Sequence, residues 1–493
     1  MSRPIMRALV VLAALAVSTL AHGQRTDLTL GMVLEPPHLD PTAGAPAAID
    51  EVVYANVFEG LTRIGENGEV LPALAESWEV SDDGKSYTFK LRDGVKFHDG
   101  TAFDAQDVVF SLERARSEKS ENAQKSLFSA IETVEAVDPH AVRITLSRPE
   151  GSLLFNLGWG DAVIVAPESA DANKSDPIGT GPFRFAGWNK GSNLTLERNP
   201  DYWGEPPALE RATFRFIPDP AAAVAAMLAG DVDAFPNFPA PEALPQLEAD
   251  PRFAVVVGST EGETILSTNN AKPPFDNQLV RQAIAHAIDR QAIIDGAMFG
   301  LGTPIGTHFA PHHPAYEDLT GTYAYDPQKA KALLAEAGFP NGFKATIKLP
   351  PPSYARRGGE ILAAQLRDVG IDLEIVPVEW GVWVPEVFTD KNYDLSIVSH
   401  TEPMDIGIYG REDYYFNYAS DAFKDIMNKL DAETDEQKRY DLMREAQRIV
   451  AKDAVNGYLF QLAKAGVWNK DVEGLWKNSP VQANDLTGVR WRQ

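Results

Sequence analysis

The sequence predicts an α/β fold, and three observations support this prediction. In the second half of the chain a strand pattern over residues 344–349, a helix pattern over 363–369 and a strand pattern over 371–378 alternate. Residues 208–235 show the same order, in the manner of a β-α-β unit with an alanine-rich helix. The chain has 493 residues, which is more than one hydrophobic core organises. We therefore expect an α/β protein with two or three domains.

The first residues predict a secretion signal. Arg3 and Arg7 precede an apolar run over residues 9–20, and the small-x-small triplet Ala21-His22-Gly23 follows. This order is typical of a signal peptide, which we place at residues 1–23. The apolar run is too short to span a bilayer as a helix, so we expect the mature protein to be secreted and soluble.

The composition excludes several classes of function. A formal net charge of −25 argues against binding to nucleic acid, whose phosphates require a basic surface, and against an anionic membrane surface. The chain has no cysteine, which excludes disulfide bonds, thiol catalysis and a lipid attached to an N-terminal cysteine. A secreted protein without cysteine is compatible with the periplasm.

The N-terminal third predicts strands, hairpins and two helices. A strand pattern covers residues 27–33, and helical spacing covers residues 49–61. Between residues 71 and 100 three Asp-Gly pairs separate strand patterns, which predicts a series of hairpins because glycine tolerates a positive φ. A helix is expected over 103–116, and two further strands are expected within 133–146.

A stretch rich in glycine and proline follows at residues 176–204. Gly179, Gly181 and Pro182 predict a tight turn that leads into a strand from Phe183. A second strand is expected at residues 194–196, and the aromatic pair after it has the size and polarity of anchoring side chains.

Three further helical or amphipathic regions are expected in the second half. Apolar residues of the segment 280–290 fall on one buried face, which places His286 and Arg290 elsewhere. Residues 325–338 have an Asp cap, a proline in the first turn and a terminal glycine, and therefore predict a helix. Residues 421–454 form a long amphipathic region.

Enzyme motifs are absent from the sequence. The zinc-protease, nucleophile-elbow, phosphate-loop and dinucleotide-binding patterns do not occur, so we assign no catalytic residue and expect no cofactor. His308, His312 and His313 have the donor chemistry of a transition-metal site. No carboxylate stands near them at ligand spacing, so we favour a structural role and assign no metal ligand.

Several separated motifs resemble one family. The patterns G-T-G-P-F-x-F with L-x-R-N-x-x-Y-W-G near residues 179–204, L-A-x-S-W with T-F-x-L-R-x-G-V-x-F-x-D-G over 74–100, and P-F with V-R-x-A-I-x-x-A-I-D-R over 274–290 occur in the expected order. They resemble the large extracytoplasmic solute-binding proteins of ABC importers, a family that includes oligopeptide, dipeptide, nickel and opine binders. The resemblance covers most of the mature chain.

The resemblance implies a fold and a division of the chain. The fold is the two-lobed periplasmic binding protein fold of type II, in the large cluster with an extra β-rich subdomain. Lobe I would hold residues 24–262 and 471–493, with the subdomain inserted at about 58–175, and lobe II would hold 263–470. Such a protein closes around its ligand and docks on ABC permease subunits; we expect it to be a monomer.

Two strand ends indicate the ligand site. Trp380 follows the strand pattern 371–378, and a polar cluster with His400, Glu402 and Asp405 follows the next strand, as expected for apolar walls with a few placed polar groups. Peptide binders of the family have a Trp at the place of Trp380. Where they carry W-x-x-D-x-x-(D/E)-P, with an Asp that pairs with the ligand ammonium, this chain has H-T-E-P from His400. Glu402 or Asp405 could replace that carboxylate.

Further candidates and alternatives stay open. Arg356 matches a place where some dipeptide binders hold the ligand carboxylate, and a guanidinium suits that task. Tyr409 and Arg411 follow Asp405 closely and could line the cleft. A small peptide or amino-acid-derived ligand is the first hypothesis. A nickel or other metal chelate, an opine or an oligosaccharide is the alternative, and a secreted enzyme is the remaining class.

Overall fold

The structure is a computed structural model that describes residues 25–44, 46–402, 405–411 and 413–492. The predicted signal peptide lies outside the described residues, as do Pro403 and Met404 of the candidate ligand site. Among the described residues, every helix is too short or too polar to span a bilayer.

The chain is mixed α/β, as the sequence predicts. Its strands are β1 (Asp27–Met32), β2 (Thr62–Ile64), β3 (Val70–Pro72), β4 (Ala75–Val80), β5 (Ser86–Leu91), β6 (Ile131–Asp138), β7 (Ala141–Leu146), β8 (Phe183–Asn189), β9 (Asn193–Arg198), β10 (Arg211–Phe216), β11 (Ala234–Phe235), β12 (Phe253–Thr268), β13 (Thr303–Pro304), β14 (Phe343–Leu349), β15 (Ile371–Pro377), β16 (Leu395–His400), β17 (Gly457–Asn469), β18 (Val472–Glu473) and β19 (Arg490–Trp491).

The helices surround these strands. They are α1 (Ala47–Val53), α2 (Ala105–Arg116), α3 (Leu153–Asn156), α4 (Pro220–Ala229), α5 (Leu244–Glu248), α6 (Gln278–Ala287), α7 (Arg290–Met298), α8 (Pro327–Glu336), α9 (Ser353–Asp368), α10 (Trp380–Trp383), α11 (Asp421–Ala432) and α12 (Glu436–Lys452).

One large sheet runs through the molecule. Its order is β15-β14-β16-β12-β17-β11-β1-β10-β9-β8, and β13 also pairs with β17. The long antiparallel strands β12 and β17 stand at its centre and connect the two halves. Their register shifts between Ser259 and Glu263 of β12, which marks an irregularity in the middle of the connection.

The two halves have separate hydrophobic cores. One core packs around β1, β9 and β10, and another around α6, α9, β14 and β16. Residues 463–469, which the predicted division assigns to lobe II, pair with residues 253–259 of β12. Val467 and Trp468 from this segment contribute to cores of the first half.

The β-rich insertion is a four-stranded sheet, β4-β5-β7-β6, packed on α2. The three predicted Asp-Gly turns are confirmed, since Gly84, Gly94 and Gly100 have φ values of 67, 73 and 91°. The insertion also reaches the second half of the chain, where the Gly151 amide donates to the Asp431 carbonyl at 2.9 Å.

Two glycines of the 176–204 stretch allow its backbone to lie directly against the backbone of residues 56–57. A Cβ on Gly179 would lie 2.0 Å from the Val57 carbonyl oxygen, and a Cβ on Gly181 would lie 2.4 Å from the Asn56 carbonyl oxygen. The Gly181 amide donates to Val57 at 3.0 Å. The expected strands follow as β8 and β9, but the glycines are required by this contact rather than by a left-handed turn.

The same stretch surrounds the buried carboxylate of Glu59. Thr180 Oγ1 donates to Glu59 Oε2 at 2.7 Å, and Trp203 Nε1 donates to the same oxygen at 2.9 Å. Tyr202 Oη donates to Glu59 Oε1 at 3.0 Å. Burial raises the pKa of Glu59, while the three hydrogen bonds oppose that shift. The Tyr-Trp pair therefore anchors the stretch through one acid.

Three helix predictions need correction. The helix expected over residues 49–61 ends at Val53, because Tyr54 turns into an extended conformation. The helix over the segment 280–290 ends at Ala287, and a second helix, α7, begins at Arg290, where Asp289 caps it by accepting from the Ala292 amide. His286 is buried rather than off the buried face, and its Nδ1 lies 2.7 Å from the Ala324 carbonyl oxygen. The amphipathic region 421–454 divides into α11 and α12.

Candidate functional site

The C-terminal ends of three parallel strands meet at one edge of the large sheet. β14 pairs in parallel with both β15 and β16. Helix α9, with Arg356 in its first turn, follows β14, and Trp380 follows β15, while His400 is the last residue of β16. Ligands of open α/β sheets bind at such an edge, where the connections leave the strands.

An apolar surface stands at this edge. Trp380, Val382, Val384 and Phe388 are 40, 42, 48 and 40% exposed, on α10 and the π-helical turn Val384–Thr389 that follows it. We call these four side chains the apolar wall. Exposed apolar side chains in sequence, on a turn type that is frequent at functional sites, are typical of a binding surface.

The apolar wall is continuous with Tyr414 and Tyr415 behind it, which we call the aromatic cluster. The Phe388 ring lies 5.5 Å from the Tyr414 ring and 5.4 Å from the Tyr415 ring, measured between centroids. Trp383 is buried beneath the wall, and its Nε1 donates to Ser396 Oγ at 2.9 Å. The apolar wall therefore packs against buried aromatic side chains, which fix its position.

Behind the aromatic cluster, one carboxylate lies between two imidazoles. Asp405 Oδ1 is 2.6 Å from His308 Nε2, and Asp405 Oδ2 is 3.3 Å from His400 Nδ1. Burial alone would raise the pKa of Asp405, but the two histidines hold that pKa well below its usual range. We call His308, His400 and Asp405 the His-His-Asp cluster.

A tyrosine contacts the outer nitrogen of each imidazole in the cluster. Tyr409 Oη lies 3.2 Å from His308 Nδ1, and it accepts from Asn456 Nδ2 at 3.0 Å. Tyr415 Oη lies 3.1 Å from His400 Nε2 and 2.8 Å from Ser267 Oγ. These contacts orient both rings so that their remaining nitrogens face the same carboxylate.

A second acid lies beside the cluster. Glu263 of β12 is directly opposite His400 of β16 in the antiparallel register, so the two side chains share one face of the sheet. Glu263 is buried, and its Oε2 has no hydrogen-bond partner. Burial, together with the nearby Glu261 and Asp405, raises its pKa well above the usual range.

A cavity adjoins the cluster. It has a volume of about 290 Å³ and lies between the β-rich insertion and the helices α11 and α12. Phe309 and Ile406, the residues that follow His308 and Asp405, are part of its lining.

The structure revises the interpretation of the histidines. We expected no carboxylate near His308 and His312, but Asp405 approaches His308 and Glu261 Oε1 lies 2.6 Å from His312 Nε2. These contacts join residues far apart in sequence, so ligand spacing could not reveal them. Two glutamates at positions 261 and 263, in a strand of buried residues, were the available signal.

The remaining predicted residues lie apart from the cluster. Arg356 donates through Nη2 to Glu379 Oε1 at 2.8 Å, at the base of the apolar wall. Glu402 is exposed and accepts from the Thr401 amide at 3.2 Å. Arg411 is exposed with its guanidinium 4.9 Å from the Tyr414 ring centroid. The cluster therefore joins His400, Asp405 and Tyr409, while Arg356, Glu402 and Arg411 stand at the surface.

The fold and the site define a binding protein, with an apolar wall and polar groups at the ends of parallel strands. The profile of the bacterial extracellular solute-binding proteins, family 5 Middle, matches residues 69–420. The chain is 32% identical to the dipeptide-binding protein of Escherichia coli K12 over 433 residues, which cover 78% of this chain and 80% of the relative.

Two further likenesses agree. Heme-binding protein A of Haemophilus influenzae is 35% identical over 378 residues, which cover 69% of each chain. The ABC transporter-associated periplasmic binding protein DppA of Helicobacter pylori, solved with the peptide STSA, aligns with a TM-score of 0.74 and 29% identity over 95% of this chain and 99% of that one.

The chain belongs to the family 5 bacterial extracellular solute-binding proteins. The predicted two-lobed periplasmic binding protein fold is confirmed by this membership, and so is the role of a solute-binding component of an ABC importer. Members of the family are transport binding proteins and not enzymes. A solute and a permease are therefore its partners.

Proposed function

We propose that this protein captures a small peptide or an amino-acid-derived solute against the apolar wall and delivers it to the permease of an ABC importer. The observation that carries the proposal is the wall itself, since exposed apolar side chains stand beside charged groups at the ligand edge of the sheet. One relative is a dipeptide-binding protein, which supports a peptide-like solute.

In this proposal Glu402 pairs with the solute ammonium and Arg356 with the solute carboxylate. Glu402 is exposed beside the aromatic cluster, whereas each oxygen of Asp405 already contacts an imidazole. Arg356 is paired with the exposed Glu379, which it can exchange for a ligand carboxylate at small cost, because an exposed ion pair contributes little. Trp380 contributes apolar contact, and Arg411 lines the entrance.

We also propose that lobe closure uses the irregularity in β12 between Ser259 and Glu263. The predicted boundary at 262/263 falls within it. The return crossing in β17 then falls near Leu462, because residues 463–469 pair with the first half of β12. The proposed working form is a monomer in the periplasm, exported by the signal peptide at residues 1–23.

The test is calorimetry on the mature protein with dipeptides that are free, blocked at the amine or blocked at the carboxylate. The solute class is first identified by native mass spectrometry of protein isolated from its own cells. Glu402→Gln should weaken binding of the free dipeptide by about 1–3 kcal/mol and leave the amine-blocked one unaffected. Glu374→Gln, an exposed acid of β15, is the control.

A matched pair tests the carboxylate partner. Arg356→Ala should weaken carboxylate-bearing solutes, whereas the neighbouring Arg357→Ala, on an exposed position of the same helix, should not. Equal effects of both substitutions would exclude Arg356 as the partner. If no peptide, amino-acid conjugate or opine binds, the proposed solute class is wrong.

A further inference from the structure

We propose that His308, His400 and Asp405 bind one divalent transition-metal ion of the Zn²⁺, Ni²⁺ or Co²⁺ class, with Glu263 as an additional ligand. The proposal rests on the proposed function for its setting, because the cluster lies behind the wall at which solute is captured. It adds a ligand class that peptide capture does not require.

The donor atoms are close enough to share one ion. One ligand atom from each residue of the cluster lies within 4.8 Å of the others. Around a tetrahedral ion with bonds of about 2.1 Å, ligand atoms stand about 3.4 Å apart, so small rotations of the two rings and the carboxylate suffice. Imidazole nitrogens with carboxylate oxygens are the donor set of this metal class.

The surroundings orient the donors as metal sites require. Metal-bound histidines are usually held through their other ring nitrogen by a hydrogen-bonding group, which fixes the ring. Tyr409 contacts His308 in this way and Tyr415 contacts His400. Asn456 and Ser267 in turn hold the two hydroxyls. Such an outer set of contacts leaves one nitrogen of each ring facing Asp405.

Glu263 provides an independent observation. A buried carboxylate oxygen without a hydrogen-bond partner is costly, and Glu263 Oε2 is such an atom on the same sheet face as His400. The contacts of Asp405 with the two imidazoles leave this Glu263 oxygen without a partner, whereas a cation held by the cluster beside it supplies one.

The chain offers a matched control. The side chain of His312 is 2% exposed and its Nε2 lies 2.6 Å from Glu261 Oε1, while its Nδ1 lies 2.7 Å from Ser259 Oγ. This arrangement has one imidazole and a carboxylate, without the second imidazole of the His-His-Asp cluster. Substitution of His312 disturbs a buried His–Glu pair of the same kind but removes none of the proposed ligands.

The experiment titrates the mature protein, stripped with a chelator, with ZnCl₂ or CoCl₂ alone, by calorimetry and by the visible absorption of bound Co²⁺. We expect one saturable site per chain. His308→Ala and His400→Ala should each weaken it about 100-fold or more, and Tyr409→Phe, which keeps both ligands, about 10-fold. His312→Ala should stay within about twofold of the parent protein.

Clear outcomes overturn the inference. No saturable binding by the parent protein, or an equal loss in His312→Ala and His308→Ala, means that the cluster is an ion pair only. Tyr409→Phe keeps the test valid if an alanine variant does not fold. Titration of the stripped protein with solutes is a separate experiment. If the protein binds metal but none of the solutes, the proposed function is contradicted. If it binds a solute but no metal, only this inference is contradicted.

Discussion

Replacement of Glu59 tests how the glycine-proline stretch is anchored. Glu59→Ala removes the acceptor of three hydrogen bonds, from Thr180, Tyr202 and Trp203. Glu59→Gln keeps the size of the side chain. Its amide oxygen can take the place of Oε2 and accept from Thr180 and Trp203, and its amide nitrogen can donate to the hydroxyl of Tyr202, which then accepts instead of donating.

The two variants should differ in stability by about 3 kcal/mol. A hydrogen bond to a charged group contributes about 1.5–3 kcal/mol, and the indole N–H of Trp203 is left without its acceptor in the alanine variant. Relief of the buried charge offsets part of this loss, so we expect Glu59→Ala to cost about 4 kcal/mol. Glu59→Gln loses charge but keeps three partners, and should cost about 1 kcal/mol or less.

The assay is denaturant unfolding followed by tryptophan fluorescence and by circular dichroism, both needed because a chain with several cores need not unfold in one step. Glu79→Ala, an exposed acid of β4, controls for the loss of a charge. Equal destabilisation by Ala and Gln would refute the reasoning, since the negative charge and not the hydrogen-bond geometry would then hold the stretch.

Three further outcomes are expected. Burial raises the pKa of Asp161 to about 7, so the folded chain holds the proton of this carboxyl group more tightly than the unfolded chain does. The resulting stabilisation is fully present below about pH 4 and is lost as the pH rises through 7. Asp161→Asn should remove this loss, which unfolding curves between about pH 4 and 8 measure. Gly179→Ala, with its Cβ against Val57, should cost about 3 kcal/mol or more, whereas Gly187→Ala, which meets nothing within 4 Å, should be tolerated; equal unfolding midpoints would contradict this. Trp380→Ala should weaken solute binding about tenfold or more in calorimetry while lowering the melting temperature only slightly, because the residue is 40% exposed and lies outside the buried core.

Local chemistry predicted most elements of the fold. The predictions of the Asp-Gly turns, of the Asp-capped helices α2 and α8 and of the strands β14 and β15 were correct, because each is specified by neighbouring residues. The helix after residue 49 was overextended, since the turn at Tyr54 is made by contacts with Ile64 and Gly158, distant in sequence. A local pattern of apolar residues cannot reveal contacts between residues so far apart in sequence.

The candidate site likewise has a part that the sequence predicted and a part that it did not. That Trp380 and His400 lie at one edge follows from strand order, because parallel strands end together. Two contacts could be seen only in the tertiary structure. Asp405 meets His308, which is 97 positions away in sequence, and Glu263 lies opposite His400. The sequence by itself determined the family, the α/β elements and the sheet edge at which Trp380 and His400 lie, since these depend on local patterns and motifs. Only the folded chain decided which buried charges share a site, because that depends on strand register and on packing between distant segments.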